Sequence, residues 1–407
     1  MPLLSPAAFL AVLAATVPAF AQTTWHVDAS AAPPGDGTQA HPYASIAYAV
    51  QRPTTVNGDR ILVAPGTYTE NVDYQFKVLT VESSAGPLAT RILGHVQLGD
   101  DVPYSPARLV GFRVDSVALY GASLEHCILF DTHTPGSSAL FVSDSARIDH
   151  CTVVGYQVAI IEFLFNTNPL TIRNSVFLDN AVFFNSSTGN AHTVQYSAGQ
   201  AGGPYPPNWS IVGNVPGDPG LWDVASGDLH LKPGSVCIDA GDPASPLDPD
   251  GSRADVGAIA YDATYAPGPT VYCEGKLHSQ GCVPSIAYSG SASASSASPF
   301  LVTATNVVPH RRGFLFYGFA PDAQPFQGGT YCVLQPTRRT RGQDSLGGPA
   351  PCTGSYSYDF NPRIQSGADP FLVPGALVYA QYWFRDPADP QGFASGLSNG
   401  LCFGIAP

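Results

Sequence analysis

Charge is scarce in this chain. Only 12% of its 407 residues are Asp, Glu, Lys or Arg, about half the roughly 25% of ordinary soluble proteins. Basic residues are the scarcer kind, 18 against 31 acidic, for a net charge of −13. That balance leaves no electrostatic footprint for nucleic acid or an anionic membrane, and neither is expected as a partner. After residue 21 no stretch is apolar enough to span a bilayer. No Cys-x-x-Cys pair occurs and no nearby histidines complete a zinc pattern, which argues against structural zinc. Long helices are disfavoured as well, because 41 Gly and 38 Pro interrupt the chain and few uninterrupted helices survive such punctuation.

What is present begins with a leader. Residues 1–21, "MPLLSPAAFLAVLAATVPAFA", join a short apolar centre to small residues at Ala19 and Ala21 around Phe20, the pattern of a secretory signal cleaved before Gln22. The mature chain is therefore expected to be secreted or held at the cell surface with no membrane span, in a location that permits disulfides. Five of the eight cysteines lie in the last third of the chain. The expected bridges are Cys273–Cys282 and Cys332–Cys352, leaving Cys402 over, although spacing alone does not fix connectivity.

Between Lys77 and Phe184 the sequence is a series of short β-prone runs separated by Gly, Asn, Asp and Ser, which means stacked coils or a sandwich. A repeat decides for coils. Leu124, Ile148 and Ile172 recur at intervals of 24 residues, each followed two positions later by His126, His150 and Asn174, and then by Cys127, Cys151 and Ser175. In a parallel stack each residue lies about 4.8 Å above its counterpart, so the repeat predicts an inward aliphatic ladder, a polar ladder and a small-residue ladder at a bend. Upstream, a β-run carrying Val27, a short helix at residues 43–51 and a strand at Ile61, Leu62 and Val63 form an opening that would cap a sheet edge. After "TYAPGPT" at residues 264–270 the character changes, and alternating patterns with turn signals predict a compact β-sandwich over residues 271–407.

The openings "WHVDASAAPPGDGTQAHPYASIAYAV" and "GDRILVAPGTYTENV" resemble the N-terminal cap and first rung of secreted right-handed parallel β-helix proteins, the pectin-lyase-like superfamily with its DUF1565-type members. The stretch "CIDAGDPASPLDPDGSRADVGAIAY" is similar to the end of the same helix in many bacterial proteins. The resemblance covers about residues 25–262 and implies an all-β chain: signal peptide 1–21, right-handed parallel β-helix 22–263, linker 264–270 and C-terminal β-sandwich 271–407. The tail resembles a module found on many secreted bacterial proteins of unassigned function. Because the superfamily mixes lyases, hydrolases, epimerases and noncatalytic surface proteins, the resemblance implies a fold and no single activity.

Candidate sites are few. Asp149, His150 and Cys151 stand side by side, but adjacent side chains on a strand point to opposite faces, and the echo in His126 and Cys127 fits a structural ladder. A polysaccharide lyase on this fold needs a cation or Arg against the uronate and a base beside the scissile sugar. Arg113, Arg147 and Arg173 are placed on successive coils with Asp115, Asp131, Asp149 and Glu125 nearby, a stripe that could grip a glycan or simply solvate the coil faces. The Arg-x-Pro-x-x-Arg element of pectate lyases and the Gly-His-Gly of inverting hydrolases are absent. Asp248, Asp250 and Asp255, with Asp239 and Asp242, form an acidic cluster that could hold calcium or could be an Asx/Gly turn. In the tail, Tyr356, Tyr358, Phe360, Tyr379, Tyr382, Trp383 and Phe384 are expected mostly to fill the core. The expected function is a noncatalytic β-helix protein acting at the cell surface or binding extracellular polysaccharide, with a lyase or hydrolase of acidic polysaccharide as the alternative.

Overall fold

The first sheet is set by a column of aliphatic residues. Ile61, Val81, Leu109, Leu124, Ile148, Ile172 and Val194 stand in register on successive parallel strands, and each is fully buried. The computed structural model of the protein describes residues 22–99, 105–143, 145–163, 168–186, 189–202 and 205–407; the expected leader lies outside them. Nine parallel strands, from Thr24–Val27 to Ser210–Val212, build this sheet. A second face carries Ile128–Phe130, Thr152–Val154 and Val176–Leu178, and a third carries Ser138–Ser143, Val158–Glu162 and Val182–Asn185. The longer strands Thr90–Gly99 and Arg113–Tyr120 pair with one another through a register shift between Ile92 and His95. The result is a parallel β-solenoid around one interior core. Its 24-residue period is real but local: the ladder spacings are 20, 28, 15, 24, 24 and 22 residues.

The corner after the first sheet explains why the repeat carries polar residues. His126, His150, Asn174 and Tyr196 all adopt left-handed backbone, with φ between 47° and 49°, a region where His and Asn are enriched among non-glycine residues. Their amides continue the inter-coil ladder, His126 N–H to Asp149 O at 3.1 Å and His150 N–H to Arg173 O at 3.2 Å. The next column, Cys127, Cys151, Ser175 and Ser197, is buried. Within it, Ser175 Oγ accepts the Cys151 amide at 3.0 Å and Ser197 Oγ accepts the Ser175 amide at 3.2 Å. At the N-terminal end the helix is shorter than expected, Ile46–Gln51, because Ser45 caps it by accepting the Tyr48 amide. The Glu70 carboxylate accepts the Ile46 and Ala47 amides, and Ile46, Ala49 and Val50 enter the solenoid core.

The segment after Gly217 does not add a coil. The hairpin Leu221–Asp223/Asp228–Leu231 and the chain through Ala258 return along the outer face of the second sheet. There Leu221, Leu229, Leu231, Cys237, Val256 and Ala258 bury Ile128, Val154, Val176 and Ala198. Ala258 N–H donates to Thr152 Oγ1 at 2.9 Å and Gly257 N–H to Asn174 O at 2.8 Å. An apolar outer face on these coils demands this cover, which is why the acidic run sits beside the polar corner.

The tail is a β-sandwich of antiparallel sheets. One contains Thr270–Tyr272, Ser395–Gly404, Leu377–Arg385, Arg312–Gly318 and Arg338–Arg339, and the facing one contains Ser285–Ser289, Leu301–Val307 and Gly354–Asp359. Phe300, Tyr317, Tyr356, Phe360, Tyr382 and Phe384 fill the space between them. The disulfides correct the sequence expectation: Cys273 bonds Cys332 and Cys282 bonds Cys352, closing loops of 59 and 70 residues, while Cys127, Cys151, Cys237 and Cys402 are free. Partners distant in sequence are brought together by strand order, and the longer loops constrain the unfolded chain by about 4 kcal/mol each in the chain-entropy account. Among the described residues no helix is long and apolar enough to cross a membrane.

Ile148→Asp would place an unpaired charge between Leu124 and Ile172. It is expected to destabilise the solenoid by more than about 4 kcal/mol, against about 1 kcal/mol for Ile148→Val, both read from urea unfolding. A small effect of the aspartate would show that the ladder does not hold the core.

Candidate functional site

The polar corner is a closed network. Asp149 pairs in register with Glu125 below and Arg173 above. Its Oδ1 accepts His150 Nδ1–H at 2.9 Å and Asn174 Nδ2–H at 3.0 Å, while Oδ2 accepts Arg173. Arg173 also reaches Asp242 at 3.2 Å, Asn174 Oδ1 accepts the Asp242 amide at 2.6 Å, and Asn174 Nδ2 donates to Ser245. The His126 and His150 rings stack at 4.6 Å and 15°. Burial alone would raise the Asp149 carboxyl, but the His150 and Arg173 bonds and charges outweigh it and hold the group at about 2. Cys151 turns the other way, its Sγ 3.3 Å from Asp149 O and 3.5 Å from Leu124 O. Burial pushes the Cys127 thiol up to about 12 and the Cys151 thiol well above its usual range. An inward, protonated thiol beside an outward imidazole is no nucleophile–base pair. In the native protein a thiol reagent should leave both cysteines unmodified, and both should react after denaturation without a reductant; rapid native labelling of Cys151 would contradict this account.

The acidic run is organised by backbone amides. Asp248 Oδ2 accepts the Asp255 amide at 2.7 Å, Asp255 accepts the Asp239 and Tyr261 amides at 2.7 and 2.6 Å, and Asp250 accepts the Ser252 amide at 2.9 Å. Asp248, Asp250 and Asp255 do not converge on a common point. Among the described residues only His278, Cys282 and Cys352 cluster tightly enough to be considered for a metal, and the two cysteines are joined to each other. Calcium therefore finds no assembled set of carboxylates in this turn. What the packing creates instead is a perturbed acid. Burial, reinforced by the Asp255 carboxylate and opposed by the Asp255 amide and by His150, pushes Asp248 up to about 6.

A raised folded-state value means that the native protein holds this proton more tightly than the unfolded chain, whose Asp titrates near about 3.9. The associated stability is present below about pH 4 and lost as pH rises through about 6. Asp149 contributes in the opposite sense, at lower pH, so the two do not overlap. Asp248→Asn retains a donor toward Asp255 and an acceptor for its amide. It is expected to remove the decline in melting temperature across that window, measured by thermal unfolding at a series of pH values.

The three arginines do not share a column. Arg113 lies on the strand Arg113–Tyr120, opposite Arg91 and with its guanidinium 4.9 Å over the Phe130 ring. Arg147 is exposed on the first sheet in register with Ser123 and Thr171, and Arg173 is two positions further along its own strand, above Asp149. Asp115 pairs with Arg91 at 3.3 Å, Glu125 pairs with Arg108, and Asp131 accepts the Thr134 hydroxyl at 2.8 Å.

Two other features were not singled out from sequence. Along the flank where the second face turns into the third, adjoining hollows of about 360 and 700 Å³ share His133 and Asp179. The narrower lies between Phe130, Asp131 and the exposed turn Val224–Ala225, and the wider continues past Asn180 and Gln200 to Asp218. On the tail, Phe314, Phe316, Phe326, Tyr331 and Trp383 line a cleft of about 270 Å³ together with Gln327, Gln335 and Arg339. Tyr356, Phe360, Tyr382 and Phe384 are buried as the alternation suggests, but Trp383 belongs to the opposite face. The signal was present in "RGFLFYGFA" and "PFQGGTYCV", whose alternate aromatics had no visible partner until the strands were paired.

No protein-family model matches the chain, and no curated protein does. A solved structure similar to it is titled "Crystal structure of pectate lyase Pel9A", at 11% identity and a TM-score of 0.27, covering 59% of this chain and 97% of that one. The strand register itself establishes a parallel β-solenoid joined to a β-sandwich.

Proposed function

We propose that the protein binds polysaccharide outside the cell, along the flank of the solenoid, and does not transform it. The observation that carries this reading is the pair of adjoining hollows sharing His133 and Asp179, whose polar lining of Asp131, Asn180, Gln200 and Asp218 suits sugar hydroxyls and whose common border suits consecutive units of one chain. The extracellular part is supported by the leader-like first 21 residues and the two disulfides. The noncatalytic part is supported by the polar corner, where the Asp149, His150 and Arg173 groups are bonded to one another.

A lyase or hydrolase acting on acidic polysaccharide is the second reading, favoured by one placement: Asp248 lies against Asp255, whose amide it accepts at 2.7 Å, and burial together with the Asp255 carboxylate pushes its carboxyl upward, the direction a general acid requires. Affinity electrophoresis and product-release assays on pectic, alginate-like, glycosaminoglycan and neutral polymers, with and without calcium, separate the two. Retardation by at least one polymer without product is expected, and Ala225→Trp, which fills the narrower hollow from an exposed turn, should weaken retardation at least tenfold. Sustained product release that disappears in Arg147→Ala or Asp248→Asn would replace binding with catalysis.

A further inference from the structure

We propose that the aromatic cleft on the outer face of the tail sandwich is a second, separate sugar site, built for a ring that carries a carboxylate, a hexuronate unit. The inference deepens the polysaccharide reading but rests on different residues in a different domain.

The floor of the cleft follows from strand pairing. Phe314 and Trp383 are directly opposite on neighbouring antiparallel strands, and their rings stack at 5.1 Å and 25°. Phe316 stacks on Tyr331 at 4.9 Å and 12°, and Phe326 closes against Tyr331 at 5.0 Å. Tyr331 and Phe326 come from the hairpin Pro321–Phe326/Gly329–Val333, which stands over this face as a wall. The rings are only partly buried, apart from Phe316. Flat, half-exposed aromatic faces are suited to the apolar C–H face of a pyranose, while polar groups at the rim take the hydroxyls. A cleft of about 270 Å³ lies just under the usual range of about 300–1,000 Å³ for small-ligand pockets. It suits one ring, with the remaining chain running out through the open side.

Arg339 selects the charge. Neighbours on a strand face opposite ways, and Arg338 is bonded to the buried Asp369 at 2.7 Å. Arg339 instead lies exposed with its guanidinium 4.9 Å over the Phe314 ring. Among the described residues no carboxylate lies within ion-pair distance of it, so its planar fork is available for bidentate bonding to a carboxylate. The surrounding charge is compatible. Residues 271–407 hold eight Lys and Arg against seven Asp and Glu, a net of +1, so the remainder of the chain carries −14 of the total −13. An anionic sugar meets less repulsion here than along the solenoid.

The wall is held before any ligand arrives. Lys276, buried, donates to Gln327 O at 2.7 Å, Asp389 at 2.6 Å and Ser395 O at 2.9 Å. Gln327 Oε1 in turn accepts Trp383 Nε1–H at 3.1 Å. Gln381, also buried, accepts the Cys332 amide at 3.0 Å and donates to Thr330 O, and the Cys273–Cys332 bridge ties the same strand to the sheet edge. A fixed wall lowers the ordering cost of binding.

The test is titration calorimetry of the full chain with a galacturonate trimer and with the neutral galactose trimer, calcium absent. The galacturonate trimer should bind at least tenfold more tightly, and only its binding should weaken as salt rises. Arg339→Gln, an exposed change, should remove that preference and leave the neutral sugar unaffected. Trp383→Ala should weaken both at least tenfold; if it unfolds the tail, Phe326→Ser from the wall serves in its place. Ala225→Trp, in the flank groove, should leave the salt-sensitive preference for galacturonate and its dependence on Arg339 intact, whatever binding it removes from the groove, so failure of the groove and failure of the cleft are told apart. Absence of binding, equal affinity for the two sugars, indifference to Arg339→Gln, or loss of the galacturonate preference in Ala225→Trp would each overturn the assignment.

Discussion

The solenoid depends on backbone pairing between successive parallel coils, made permanent by the aliphatic column from Ile61 to Val194. Each coil alone has unpaired amides on both sides and an apolar face with nothing to pack against; stacking satisfies both at once. Most polar side chains of the first sheet then lie outward or at its corner. His126, His150 and Asn174 sit where the chain must enter left-handed backbone, and Asp149 and Arg173 are paired because parallel register places one above the other. The acid, imidazole and thiol that adjoin in sequence are divided by the same geometry, the first two into the polar network of the corner and the third into a dry interior.

How much of this was legible varies with the physical cause. Leu124, Ile148 and Ile172 could be read because three coils share one length, so the inward class recurs at a fixed interval. Leu109 could not, since it lies 15 residues from Leu124 and 28 from Val81, and loop length between inward positions is free to vary. The left-handed corner was visible as a polar ladder without its cause. The acidic run was readable as a turn, but the perturbed state of Asp248 arises from burial beside the solenoid corner and the nearby Asp255, neither of which spacing encodes. The disulfide pairing failed for a related reason: near neighbours in sequence were paired, whereas strand order brings Cys273 to Cys332 and Cys282 to Cys352.

The tail shows the limit of alternation. Period-two patterning correctly assigns Tyr356, Tyr382 and Phe384 to the core, yet it says only that Trp383 faces the other way, not what it faces. Phe314 meets it from 69 residues earlier, and Phe326 and Tyr331 arrive on a hairpin whose position is decided by Lys276, Gln381 and a disulfide. The cleft is a product of tertiary assembly, and its residues are individually unremarkable.

The segment that returns along the second sheet has a mechanical consequence. A bare solenoid is a one-dimensional stack whose rungs contact only their neighbours, so it can fray from an end, one rung at a time. Here Val256, Ala258, Leu221 and Leu229 share one cluster with Ile128, Val154, Val176 and Ala198, residues of four successive coils. Separating any one of these four rungs from the next therefore opens the cluster they share with the splint. A stretch that would otherwise unzip stepwise is tied into one block of four rungs.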